Sequence, residues 1–263
     1  MWKSLFRLAK ASRPIPPTTY LDHSPTLPPG RRVYAFGDVH GRRDLLDKLW
    51  RSILQDLGDD LPREALVVGL GDYVDRGRDS RGVLESLAGL NAPLRVVALR
   101  GNHEDVMLRF LDRPMEFGPL WLELGAAETF ASYGIRVESL RPTESRLREL
   151  RAQLFSAMPV SHKRFLSALP LWHTEGDYVF VHAGIRPGIP LEQQREADLL
   201  WIRDGFADRD PRFSKVVVHG HTPVEKPEVL RFRINLDTGA YATGRLTCIV
   251  LQDSEHRFLN LST

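Results

Sequence analysis

The chain has 263 residues, 42 % of them hydrophobic, which is enough for one large core or two small ones. Its 36 basic and 34 acidic side chains leave a net charge of +2, so bulk charge gives no argument for a nucleic-acid partner. A single cysteine, Cys248, excludes an internal disulfide and fits a reducing cytoplasm; in the apolar run Thr247 to Leu251 it reads as a buried strand residue rather than a nucleophile.

The first segment, Met1 to Gly30, sets Trp2, Leu5, Phe6 and Leu8 among Lys3, Arg7 and Lys10, then places prolines at 14, 16, 17, 25, 28 and 29. That composition makes a poor core and predicts a flexible, Pro-rich tail over residues 1–30, with contact to an anionic membrane surface as the minor alternative. No apolar run approaches the roughly 20 residues that cross a bilayer, and no signal-peptide core is present. From Arg32 the order becomes strand, polar turn, helix, repeated. Val33 to Phe36 reads as a strand, and Leu45, Leu46, Leu49, Ile53 and Leu57 follow a helical period. Ala65 to Leu70 is the next strand, Gly82 to Leu90 the next helix and Leu94 to Leu99 a third strand. Residues 105–170 differ in texture: helical, arginine-rich, carrying Trp121, Phe130 and Tyr133, and read as an insertion that roofs the site, with plain helical packing as the alternative. Further strands are predicted at Tyr178 to Val181, Val216 to His219, Arg233 to Leu236 and Leu246 to Leu251, with a helix at Leu191 to Leu200. The expected organisation is therefore an α/β domain over residues 31–263.

Five polar clusters each follow an apolar run: Gly37-Asp38-Val39-His40-Gly41, Gly71-Asp72-Tyr73-Val74-Asp75-Arg76-Gly77, Gly101-Asn102-His103-Glu104, Val181-His182-Ala183-Gly184 and His219-Gly220-His221-Thr222. Strand ends are where open α/β sheets expose ligand-binding loops. Carboxylate oxygen, amide oxygen and neutral imidazole nitrogen are the donors that divalent ions prefer, and a pair of ions needs a ligand that bridges. Asp38 and His40, one residue apart, can turn to one point and form a first half-site; Asp72 is the candidate bridge; Asn102, His182 and His221 supply the second. This set suits two divalent ions, Mn2+ first, with Fe or Zn as alternatives. His219 is expected to orient a ligand, whereas His23, His162, His173 and His256 read as surface or packing residues.

These ordered motifs resemble the phosphoprotein phosphatase branch of the calcineurin-like metallophosphoesterases, and the match spans Arg32 to the end. The resemblance implies a four-layer αββα sandwich, with Asp38, His40 and Asp72 on the first metal and Asp72, Asn102, His182 and His221 on the second. Pro223 stands where many other members of the superfamily carry another histidine, which points away from cyclic-nucleotide phosphodiesterases. Asp75 and Glu104 stand where bacterial diadenosine tetraphosphate hydrolases usually depart from those residues. Trp201-Ile202-Arg203 and Asn235 to Gly239 also look like bacterial serine/threonine phosphatases of this branch.

The expected activity is metal-dependent hydrolysis of a phosphomonoester by direct attack of a metal-activated hydroxide, without a phosphoenzyme. A serine/threonine phosphoprotein or phosphopeptide is the first substrate reading, and symmetrical hydrolysis of diadenosine tetraphosphate the alternative. Within that scheme His103 is the acid for the leaving oxygen, Asp75 orients it, and the planar fork of Arg76 grips the phosphate. Arg203 is a second clamp, with an ion pair to Asp204 as its competing reading, and Tyr241 a substrate contact with core packing as its alternative. Glu104 and Arg100 are expected to support the loops without binding metal.

Overall fold

The structure, a computed structural model, describes residues 24–58, 64–89, 94–203 and 213–263. The amphipathic start of the chain and the Asp204 partner proposed for Arg203 lie outside the described residues. Alternating side-chain direction along the strands builds the molecule. In β1 (Arg31–Phe36), Tyr34 and Phe36 point to one face while Val33 and Ala35 point to the other. β2 (Glu64–Gly69) and β9 (Arg245–Gln252) repeat the pattern, with Val67, Cys248 and Val250 on the first face and Leu66, Val68, Ile249 and Leu251 on the second.

The first sheet has the order β10-β9-β1-β2-β3, where β3 is Arg95–Ala98 and β10 is Glu255–Ser262; β1, β2 and β3 run parallel. The second has the order β4-β5-β6-β8-β7, from Trp172–Glu175, Tyr178–Val181, Val216–His219, Arg233–Asn235 and Glu228–Val229, and its β5, β6 and β8 are parallel. Between the sheets lies a core in which Val33, Ala35, Leu66 and Val68 meet Phe180, Val216, Val218 and Ile234. On the outer face of the first sheet, Tyr34, Phe36 and Val67 pack with α1 (Arg43–Leu57) through Leu45, Leu46, Leu49 and Ile53. Burying that helical stripe contributes about 1.5–3 kcal/mol per side chain. This outweighs the absence of a side-chain cap at Arg42, worth about 1 kcal/mol. On the far side, Val179, Val181 and Val217 pack on Leu191 and Leu199. The four αββα layers are thus three cores divided by two sheets.

After α2 (Ser80–Ala88), the helix expected after the second strand, the helical stretch comprises α3 (Asn102–Asp112), α4 (Pro114–Glu123), α5 (Ala126–Ser132), α6 (Glu144–Ala157) and α7 (Val160–Ala168). It packs into the outer core: Trp121 and Phe130 are buried and meet Phe110 tilted and edge to face, at ring separations of 5.0 and 5.8 Å. Its hydrogen bonds to the site are described below.

Other departures have local causes. The helix expected from Leu191 to Leu200 is a 3-10 turn at Leu191–Gln193 followed by α8 (Glu196–Trp201), because Gln194 and Arg195 are extended. β4 and β10 are hairpin partners that the apolar runs did not signal. Gly176 and Asp253 take left-handed backbone in their turns, Gly-Asp and Asp-Ser, and the first of these is a recognisable hairpin pair. Part of the segment expected to be a flexible tail packs against the domain: Leu27 is buried in the inter-sheet core, and its N–H donates to the Asp253 carbonyl at 2.9 Å. Cys248 is buried in β9, where burial raises its thiol pKa, as expected of a packing residue. No helix among the described residues is long and apolar enough to cross a membrane.

Candidate metal centre

Because the parallel strands of both sheets end on the same side, the five clusters meet there. The Val39 and His40 amides donate to the Asp72 carbonyl at 3.1 and 2.8 Å, which joins the first two loops; the Gly220 amide donates to the His182 carbonyl at 2.8 Å, which joins the last two. His40, Asp72, Asp75, Arg76 and His221 all have φ between 42° and 71°, the left-handed region that non-glycine residues avoid. Each costs on the order of 1–3 kcal/mol, so the surrounding bonds must hold them. Glu104 is the main restraint: its carboxylate accepts from the Asp72, Tyr73, Val74 and Gly101 amides at 2.7–3.1 Å. It binds backbone, as the sequence led us to expect.

Asp72 faces both ways. Its Oδ2 lies 3.4 Å from His40 Nε2 and 3.7 Å from His103 Nε2, and its Oδ1 lies 3.4 Å from His182 Nε2. On the second side, His182 Nε2 is 2.9 Å from Asn102 Oδ1 and 3.2 Å from His221 Nδ1, and His221 Nδ1 is 3.0 Å from the same amide oxygen. His182 Nδ1 lies 2.9 Å from the Leu70 carbonyl and His40 Nδ1 2.8 Å from that of Val74. Each therefore carries its proton on Nδ1 and presents a lone pair at Nε2. The second cluster thus gathers a carboxylate oxygen, an amide oxygen and imidazole nitrogens around one point, the donor types a divalent cation prefers. Burial keeps these rings uncharged, as ligation requires: His40 and His182 fall below 6.5 and His221 falls to about 2. The residues fit a pair of divalent ions.

Grouped by donor distance alone, His40, Asp72 and His103 form one cluster and Asp72, His182 and His221 the other. His103 differs from the others in that its Nδ1 is 2.7 Å from Asp75 Oδ2. Burial lowers its basicity, but the Asp72 charge and the Asp75 hydrogen bond outweigh burial and raise it overall. A histidine kept prone to hold a proton is suited to acid work rather than ligation. Asp38 is buried beside the first cluster and accepts from the His221 amide at 3.1 Å.

Asp75 receives three donors: His103 Nδ1, Trp121 Nε1 at 2.9 Å and the Thr129 hydroxyl at 2.6 Å. The helical stretch thus supports the site from behind this carboxylate. Arg76 Nη1 is 2.9 Å from His40 Nε2, and its guanidinium lies 5.0 Å from the Tyr241 ring, which is 40 % exposed and therefore a rim residue, not core. Arg203 is exposed at the opposite rim, with Nε 3.2 Å from His221 Nε2. Arg100 reaches Glu196 of α8 at 3.2 Å, a loop support. His219 is buried at the end of β6, its ring 3.0 Å from the Gly220 carbonyl and 3.3 Å from Arg233, so backbone and guanidinium hold it. Of the histidines read as surface or packing, His162 is buried between Tyr133 and Glu85, His173 is half-buried and His256 is exposed.

Three residues escaped the sequence reading. Trp121 and Thr129 carry no motif and join the site only through packing. Asp237, buried against Asp38, did have a signal: an acidic residue directly after the strand Arg233 to Leu236, in the same position as the other clusters.

A two-sheet sandwich with paired acceptor clusters at its strand ends defines a dinuclear metal-dependent phosphoesterase. The model of the calcineurin-like phosphoesterase family matches residues 31–244, and the chain belongs to that family. Among characterised proteins it is 28 % identical over 227 residues to serine/threonine-protein phosphatase 1 of Salmonella typhimurium, covering 84 % of this chain and 93 % of the relative. It is 27 % identical over 237 residues to the asymmetrical bis(5'-nucleosyl)-tetraphosphatase PrpE of Anoxybacillus flavithermus, covering 83 % and 90 %. A crystal structure provisionally assigned as a diadenosine tetraphosphatase matches with TM-score 0.59 at 22 % identity, over 90 % of this chain and 98 % of its own. A protein serine/threonine phosphatase from Saccharomyces cerevisiae matches at TM-score 0.54 and 18 % identity, over 89 % and 81 %. At those identities the structural likeness establishes the fold.

Proposed function

We propose that this metallophosphoesterase is a serine/threonine protein phosphatase, and the His103–Asp75 pair is the observation that carries the reading. A serine or threonine alkoxide is a poor leaving group and needs a proton as the P–O bond breaks, whereas a departing nucleotide leaves as a phosphate that does not. A buried imidazole, oriented by a carboxylate that two further donors fix, is the device the first reaction requires.

Asp38, His40 and Asp72 would hold one divalent ion, and Asp72, Asn102, His182 and His221 the other, with Mn2+ preferred and Fe or Zn compatible with the same donors. When bound, the ions supply charge neutralisation for phosphate oxygens and a water acidic enough to act as nucleophile at neutral pH. Arg76 and Arg203, on opposite rims, offer planar donor forks to the phosphate oxygens. Tyr241, exposed beside the Arg76 guanidinium, would contact the substrate around the phosphate. His103, its Nδ1 proton committed to Asp75, gives up a proton at Nε2 to the leaving oxygen, and Asp75 stabilises the ring's orientation throughout.

The second reading, dinucleoside polyphosphate hydrolysis, is supported by the Anoxybacillus relative. That relative is asymmetrical in its cleavage, so the symmetrical mode expected from the sequence gives way to the asymmetrical one in this reading. Comparing kcat/KM for a phosphoserine peptide and for diadenosine tetraphosphate, both with added Mn2+ and with products resolved, separates the two. Higher efficiency on the peptide is expected; faster release of AMP and ATP would overturn the assignment.

A further inference from the structure

We propose that Asp237 is a positioning residue of the first half-site, a third buried carboxylate that sets Asp38 and strengthens cation binding there at the expense of the empty fold. This rests on the reading of the strand ends as a dinuclear centre and adds a residue to it. The loop after β8 is tied to both halves of the centre. Asn235 donates its amide to the Thr222 carbonyl at 2.8 Å, next to His221, and accepts the Asp237 N–H at 3.0 Å. Leu236 donates to the His219 carbonyl at 2.9 Å. Asp237 then folds back on itself: its Oδ1 accepts the Gly239 amide at 2.9 Å, and its carboxyl is a near neighbour of the Asp38 carboxyl, close enough for the two charges to interact.

That contact is possible because Gly37, just before Asp38, has no side chain. A Cβ there would overlap the Leu236 carbonyl and come within 3.2 Å of the Asp237 nitrogen. From the other side the His221 amide donates to Asp38, and Gly220 is another glycine whose Cβ would strike the Asp38 carboxyl. Asp38 is therefore bordered by Gly220, the His221 amide and Asp237.

Asp38, Asp72 and Asp237 are all at most 3 % exposed. Carboxylates crowded in a buried space repel one another, and a cation relieves the repulsion. The first half-site thus has more carboxylate than the second, whose donors beyond Asp72 are Asn102 and two imidazoles. A carboxylate that only scaffolded its loop would support the fold with or without metal. One that is present for the cation should weaken the metal-free fold and strengthen the loaded one.

The test uses the full chain, stripped with chelator, and Asp237→Asn, whose side-chain oxygen can still accept the Gly239 amide without the charge. Asp237→Ser, which keeps an oxygen for the same turn, is the second variant should Asp237→Asn not fold. Mn2+ binding is counted by titration calorimetry or by electron paramagnetic resonance of the free ion, and thermal midpoints are taken with and without metal. The expected result is one Mn2+ site weakened roughly 10- to 100-fold, the range for residues that orient metal ligands. The other site should hold near its parental affinity and the metal-free midpoint should be equal to or above the parent's. A smaller loss of affinity, or a metal-free midpoint lowered in both variants, overturns the inference. A parent chain that binds no Mn2+ at all instead overturns the dinuclear reading on which it stands.

Discussion

Replacing Glu104 by glutamine is the most direct probe of how the strained Asp72 loop is held. Glu104 Oε1 accepts from the Tyr73 and Val74 amides at 2.7 and 3.1 Å, and Oε2 from the Asp72 and Gly101 amides at 2.9 Å each. Glutamine keeps one oxygen, so two of these four buried N–H groups would face an NH2 with nothing to offer them. At about 1–3 kcal/mol for each orphaned donor, the loss is about 2–6 kcal/mol. An opposing effect exists. Burial, then the Asp72 charge, push the Glu104 carboxyl up from 4.5 to about 7. A carboxyl raised by folding favours the protonated form, so its contribution is present below 4.5 and fades as pH rises through about 7. Above that pH a neutral glutamine relieves a charge. Cations bound at Asp72 offset its repulsion and shrink this relief, leaving the lost donors dominant. With Mn2+ at about pH 7.5, Glu104→Gln should therefore cost about 2–4 kcal/mol. For a domain of this size that is a fall in Tm of roughly 5–15 °C by scanning fluorimetry. In chelator the gap should narrow. A variant as stable as the parent in Mn2+ refutes the argument that the four amides hold the loop.

Three further outcomes follow from the same geometry. His103→Asn should leave bound metal unchanged while kcat on a phosphoserine peptide falls roughly 100- to 10,000-fold, and p-nitrophenyl phosphate should suffer less; metal content that collapses with kcat would show His103 to be a ligand. Thr129→Val removes one donor to Asp75 at constant shape and should lower kcat roughly tenfold with KM little changed, since a net hydrogen bond to a charged group is worth about 1.5–3 kcal/mol and part of it is recovered by relaxation; a matching rise in KM would place Thr129 in binding instead. Burial holds His162 below 6.5 against the pull of its Glu85 hydrogen bond, so the folded state takes up its proton later than the unfolded chain. Stability from this group is full above 6.5 and is lost as pH falls toward the folded value, by at most about 1.4 kcal/mol per pH unit. Urea midpoints of His162→Gln should be flatter across that window than the parent's, and an identical slope would contradict the reading.

The parallel strands and α1 were legible because their signal is local. An apolar run of four to six residues has one reading when a polar cluster follows it, and all five side chains of the Leu45 to Leu57 period are buried as predicted. β10 was not legible, since its residues have little apolar character and only pairing with β9 makes them a strand. The break before α8 was missed because Glu192 to Glu196 are all residues that a helix accommodates and none of them marks a stop, while the backbone at Gln194 and Arg195 turned extended.

The sequence by itself determined which chemistry this chain carries, because donor atoms for a cation must be of certain kinds, and their spacing after successive strands leaves them few places to go. The tertiary structure alone decided what stands behind those donors. Trp121 and Thr129 reach Asp75 from 46 and 54 positions away. Such contacts are fixed by how helices and sheets pack, and packing depends on shape and burial summed over many residues, which leaves no mark on the few that happen to touch the site.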